Sequence, residues 1–130
     1  MYKVISFLNF IFYISVVFLI IIYLFPGSLL GFFLYKDFNV QPNLIHNPFG
    51  TNINHFIGFF CVSILGLFLH LKRDNFKNLV FGLICLSIIL EILQLIVPNR
   101  SFEIYDLSAN FIGVLVAYFL VKIYKFFSKP

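Results

Sequence analysis

Four long apolar runs, separated by short clusters of polar and turn-forming residues, dominate the chain. They extend roughly over residues 4–25, 53–71, 78–97 and 107–126. Each comes close to or exceeds the ~20 residues with which a helix crosses a hydrocarbon core. The boundaries have local causes. Pro26-Gly27 closes the first run, Lys72-Arg73-Asp74-Asn75 divides the second from the third, and Pro98-Asn99-Arg100 ends the third. Proline lacks an N–H and restricts the residue before it, so it stands just beyond helix ends. The pattern predicts an all-α protein, an integral membrane bundle of four transmembrane helices forming a single membrane domain over residues 1–130. The longest connection, residues 26–52, begins with an apolar stretch (SLLGFFLY) too short to span and continues as Asn- and Pro-rich loop. An interfacial or re-entrant segment is expected around Leu29–Tyr35.

Composition supports lipid as the solvent. The chain is 62% hydrophobic and 11% charged, with a mean hydropathy of +1.02. Soluble domains are about half apolar and about a quarter charged, and a small soluble fold cannot hide so much apolar surface. The net charge of +4 is spread along the chain rather than gathered in a patch, so no nucleic acid is expected as a partner. Cys61 and Cys85 lie inside apolar runs with no CxxC or CxxH neighbour and are expected to be buried, inert thiols. Lys3 followed by an apolar run resembles a secretory signal. That run exceeds an h-region of about 7–15 residues and no A-x-A site follows, so a retained first helix is expected. Lys3, Lys72, Arg73, Lys77, Lys122, Lys125 and Lys129 fall on one side of the predicted spans, Lys36 and Arg100 on the other. The excess of basic residues on cytoplasmic loops then predicts an N-in/C-in topology, with residues 26–52 and the turn 98–106 outside.

A few residues do not belong in lipid. Glu91 and Gln94 interrupt the third run, whose fourteen Leu, Ile, Val and Phe residues contribute about −4 to −8 kcal/mol to insertion against about +3 for a central acid. That helix still inserts. Ser87, Glu91 and Gln94 follow a 4-3 spacing and share a face. Glu91 stands seven residues before Pro98, roughly 10 Å below the outer end at ~1.5 Å per residue. In the fourth run Asp106, Asn110, Gly113 and Ala117 share a face, and Asp106 is expected to cap the helix by accepting backbone N–H bonds. Ala109, Gly113 and Ala117 form a small-residue row suited to close helix packing. The second run opens with Asn52, Asn54 and His55. The predicted topology sets His55, Glu91, Gln94, Arg100, Asp106 and Asn110 at similar depth, in the outer half of the membrane or just above it, as a candidate binding site. An intramembrane acid is by default a functional group with a partner. The competing reading is bundle glue, with interhelical hydrogen bonds of about 0.6 kcal/mol each and Arg100 clamping Glu91 or Asp106. His46 reads as a loop residue and His70 as an interfacial one.

The stretch Glu91-x-x-Gln94-x-x-x-Pro98-x-Arg100, followed by Asp106-x-x-x-Asn110-x-x-Gly113, resembles the signature of VanZ-like membrane proteins. The pair His55-Phe56 resembles that family's other motif, although Thr51 and Asn52 stand here where Asp-Lys usually precedes the His. The resemblance covers about residues 51–120. It implies a bacterial polytopic protein of the plasma (inner) membrane, in a family whose namesake is associated with reduced susceptibility to the glycopeptide teicoplanin.

Three functions are open at this point. In the first, the outward polar pocket binds without catalysis a lipid head group, a lipid-linked envelope precursor or a glycopeptide-type antibiotic, in an envelope or antibiotic-resistance role. Arg100 would meet phosphate or carboxylate, and Gln94 and Asn110 would supply neutral hydrogen bonds. In the second, a small intramembrane enzyme uses Glu91 as general acid or base with His55 as its partner. No Ser or Cys nucleophile stands at a suitable spacing. Glu91, His55 and Asp106 lack an HExxH-type arrangement, so neither a metal nor another cofactor is expected. In the third, the chain is a structural or accessory membrane subunit. Membrane lipids are the expected partners, and an oligomer is open. Four helices leave little room for the two gated halves of a transporter unless the protein oligomerises.

Overall fold

The computed structural model describes residues 2–46, 50 and 52–128; Thr51 and Lys129 lie outside the described residues. Helix α1 (Tyr2–Leu24) is followed by the short α2 (Leu29–Tyr35), then by α3 (Asn52–Leu69), α4 (Phe76–Leu93) with a 3-10 turn at Gln94–Ile96, and α5 (Ile104–Phe127). No strand occurs among the described residues. Four of the helices are long and apolar enough to cross a membrane. Even α3, with 18 residues, reaches about 27 Å at ~1.5 Å per residue, close to the ~30 Å hydrocarbon core.

Local chemistry explains the ends. After α1, Pro26 blocks further helix and Gly27 turns the chain at φ +93°. Ser28 caps α2 by accepting from the Gly31 N–H at 2.9 Å. Lys36, left-handed at φ 60°, ends α2. Residues 37–40 then fold back across α2 so closely that a Cβ on Gly31 would collide with the Val40 carbonyl. The Leu29–Tyr35 segment is thus a helix covered by its own connection, tied down by the Ser28 N–H donating to the Phe38 carbonyl at 2.7 Å.

Helix α3 lies at the centre. It packs most extensively on α5 and also touches α1 and α4. Small residues allow the approach: a Cβ on Gly113 would stand 2.7 Å from the Phe56 carbonyl oxygen of α3, closer than ordinary contact. Gly58 and Gly66 of α3 likewise receive Leu19 and the Phe12 ring of α1. The resulting interior is unusually polar and the exterior apolar. Ser63, Ser87, Glu91 and Asn110 are fully buried, whereas Phe7, Phe33 and Phe127 are 61–79% exposed. In water such a surface would drive association; against lipid tails it is at home.

One expectation needs correction: Cys61 is exposed and Cys85 is half-buried. His70, at the end of α3, is buried against α1: its Nδ1 lies 2.9 Å from the Gly66 carbonyl and its ring packs on Phe12.

Candidate functional site

The polar side chains gather at one end of the bundle, from four helices and a turn. The last turn of α1 supplies Tyr23, the first turn of α3 His55, the end of α4 Glu91, and the first turns of α5 Asp106 and Asn110. Gln94 opens the 3-10 turn, and Arg100 sits in the loop that follows. The helical period makes this economical. Ser87, Glu91 and Gln94 turn inward together, as do Asp106, Asn110, Gly113 and Ala117.

Asn110 is the hub. Its Oδ1 accepts a hydrogen bond from the Tyr23 hydroxyl, and its Nδ2 donates to Glu91 Oε2 at 3.2 Å. The other Glu91 oxygen accepts from the backbone N–H of Glu103 at 3.2 Å. This last bond explains where α5 begins. The expectation that Asp106 caps the helix is not met: α5 starts three residues before Leu107, at Ile104, with Glu103 at the N-cap and no side-chain cap of its own. A carboxylate from α4 serves the N-cap amide instead, at the end of the helix where negative charge is favourable. Asp106, inside the first turn, faces α3. Its Oδ2 stands 3.3 Å from His55 Nε2, while its Oδ1 is buried with no hydrogen-bond partner.

His55 is held between Asp106 and the Tyr23 ring, whose centroid lies 5.0 Å away at 73°. Its Nδ1 is 4.0 Å from Glu91 Oε2, too far for a hydrogen bond, and has no other partner. Gln94 Nε2 is likewise buried and unpaired. Arg100 makes no ion pair with Glu91 or Asp106 within 4 Å among the described residues. Its Nε donates to the Phe25 carbonyl at 3.3 Å and its Nη2 to the Ile22 carbonyl at 3.2 Å, closing the C-terminal end of α1. Burial pulls the guanidinium below its usual pKa, against the opposing influence of Tyr23, Asp106 and Glu91. The clamp read from sequence is therefore made to carbonyls rather than to carboxylates. Three of the five guanidinium N–H donors have no partner among the described residues.

Beside this network opens a pocket of about 200 Å³. Tyr23, Ser28, Gln41, Asn54, His55, Gln94 and Arg100 supply its polar residues, and Leu19, Ile22, Leu29, Leu30, Leu44 and Ile57 its apolar walls. The connection after α2 closes one flank, clasped to α3 by Asn54, which donates to the Pro42 carbonyl at 2.7 Å and accepts from the Leu44 N–H at 3.0 Å. Asn110, Glu91 and Asp106 lie behind the pocket and do not line it. Of the small-residue row, Gly113 and Ala117 are buried and Ala109 is half-buried. Ala109 lines a separate groove between α3 and α5. Among the described residues no group of three His, Cys, Asp or Glu side chains is arranged to hold a metal ion. Sequence reasoning missed Tyr23. Its only signal was a hydroxyl in the last turn of the first span, which looks like any interfacial aromatic.

A bundle of four membrane-spanning helices with a buried polar cluster at one end defines a multi-pass membrane protein. The sequence pattern of the VanZ/LLP1 family matches residues 10–125, and the chain belongs to that family. The match extends beyond the 51–120 region of the motifs to include most of α1, the helix that supplies Tyr23 and the carbonyls held by Arg100. No curated protein and no solved structure matches the chain.

Proposed function

We propose that the protein binds, from the outer face of the bacterial plasma membrane, the polar end of an amphipathic envelope molecule: an anionic lipid head group or a lipid-linked envelope precursor. The observation that carries this reading is the composition of the pocket. Arg100, with donors unpaired among the described residues, lines it together with the polar residues Ser28, Gln41, Asn54, His55 and Gln94, and aliphatic side chains form the rest of the wall. An anion fits the Arg100 fork, and an alkyl chain fits the walls.

Size favours a head group over a whole antibiotic. A volume of about 200 Å³ is below the ~300–1,000 Å³ of pockets for drug-sized ligands. A glycopeptide would enter by one substituent at most, so a role in resistance would act through the envelope precursor. The N-in/C-in orientation, which puts the pocket outside, rests on the placement of the basic residues.

The test combines accumulation in membranes with native mass spectrometry of purified wild type, Glu91→Gln and Arg100→Ala. The expected result is normal accumulation of all three, a co-purifying anionic or lipid-linked molecule on the wild type, and its loss from Arg100→Ala. Wild type carrying only bulk lipid would overturn the reading and leave the cluster as structural glue.

One observation favours a second reading, a small intramembrane enzyme. His55 lines the pocket and its Nε2 lies 3.3 Å from Asp106 Oδ2, an arrangement suited to a general base oriented by a carboxylate. The base would then be His55 rather than Glu91, whose two oxygens are already engaged by Asn110 and Glu103. Turnover of the co-purifying molecule by wild type but not by His55→Ala would support that reading.

A further inference from the structure

At the opposite end of the bundle, the turn after α3, the first turn of α4 and the last turns of α5 enclose a groove of about 610 Å³. Lys72, Arg73, Lys77, Lys122 and Lys125 line it, against a single acid, Asp74. None of the five cations makes an ion pair within 4 Å among the described residues. Three are held by other contacts instead. Arg73 Nη1 lies 3.2 Å from His70 Nε2, Lys122 Nζ sits 5.5 Å from the Tyr118 ring centroid, and Lys125 Nζ donates to the Leu71 carbonyl at 3.4 Å. Such contacts aim the charges without neutralising them.

Phe76, Val80 and Tyr118 line the same groove. Val80 is one turn into α4 from Phe76, and Tyr118 one turn before Lys122 in α5, so the apolar wall continues from the cations toward the membrane interior. Asn75, at the N-cap of α4, makes no side-chain cap hydrogen bond, and the first turn of α4 carries no acid.

The geometry points to a second, independent site: a seat for the phosphate-bearing head group of an anionic phospholipid in the leaflet at this end, with its acyl chains against Phe76, Val80 and Tyr118. A soluble phosphate would satisfy the cations but make no use of the apolar wall. A zwitterionic head group would leave the excess positive charge unmatched. The groove also lies where α3 ends and α4 begins, the level at which spans meet head groups.

The test titrates the full-length protein in neutral detergent with phosphatidylglycerol, phosphatidylcholine and inorganic phosphate, read by native mass spectrometry. Phosphatidylglycerol should bind in preference to phosphatidylcholine, and inorganic phosphate should not displace it. Lys122→Gln/Lys125→Gln removes two of the five cations that meet the phosphate and should weaken phosphatidylglycerol binding about tenfold or more. Lys122→Arg/Lys125→Arg should bind like wild type. Lys3→Gln is the control: Lys3 is exposed at the same end of the bundle, at the start of α1 and off the groove, and its loss should change little. Equal binding of the two lipids, displacement by inorganic phosphate, an equal loss in Lys3→Gln, or a loss in the arginine pair matching that of the glutamine pair would each overturn the proposal.

Discussion

Gly113→Ala and Gly82→Ala add the same methyl group to two membrane helices, and the structure makes their consequences diverge. Both gain the intrinsic helix preference of Ala over Gly, about 1 kcal/mol, so that contribution cancels in the comparison. Gly82 on α4 has nothing within 4 Å of a new Cβ. On α5, the Cβ of Gly113→Ala would stand 2.7 Å from the Phe56 oxygen and 3.0 Å from the Phe60 nitrogen, both backbone atoms of α3. Carbon–oxygen contacts between packed helices settle at about 3.3 Å or more. The two helices would therefore have to part by roughly 0.6 Å at this crossing, or shear past one another. Overpacking of this kind costs about 1–3 kcal/mol. Gly113→Ala is expected to be less stable than Gly82→Ala by that amount, measured as reversible unfolding in mixed micelles by pulse proteolysis. Because His55 and Asp106 face each other across the same two helices, ligand retention should fall with it. A difference smaller than the ~0.5 kcal/mol scatter of neutral substitutions would show that this close approach does not hold α5 against α3.

The hydrogen-bonded network and the topology offer further checks. Tyr23→Phe removes the hydroxyl donated to Asn110 and should cost about 0.6–1.7 kcal/mol, the range of interhelical hydrogen bonds in membranes. A double-mutant cycle with Asn110→Leu should show coupling of that size, and additive effects would refute the bond. Glu91→Leu leaves the Glu103 N–H and Asn110 Nδ2 without their acceptor and should cost about 1–3 kcal/mol, whereas Glu91→Gln keeps one acceptor oxygen and should cost less. Amide exchange at Glu103 should accelerate in the Leu variant, and equal exchange in both variants would sink the cross-helix cap. For orientation, single cysteines are introduced into a chain carrying Cys61→Ala and Cys85→Ala. Asn43→Cys should react with an impermeant maleimide on intact cells, and Asp74→Cys only after permeabilisation. The reverse pattern would overturn the N-in/C-in topology.

The order of hydrophobic and polar residues by itself determined that the chain makes helices able to cross a bilayer, and about where the connections between them fall. A run such as 78–97 has no other stable solvent, and Pro26, the charged turn 72–75 and Pro98 leave little freedom at the ends. Which side chains share a helix face also followed from the period alone, as Ser87, Glu91 and Gln94 illustrate. Partnership between helices did not. Tyr23 meets Asn110 across 87 residues, and Arg100 meets Ile22 across 78. Such contacts depend on the rotation and relative height of packed helices, which a one-dimensional pattern does not encode. The start of α5 is decided the same way. Asp106 has the right chemistry for a cap, yet α3 brings His55 against it, and the free Glu103 amide is taken by Glu91 from α4. The tertiary structure also made the pocket, by folding residues 37–44 back over α2 and clasping them to Asn54. In a membrane interior, where water cannot complete a hydrogen bond, the packing of helices decides which polar atoms are satisfied and which remain available to a ligand.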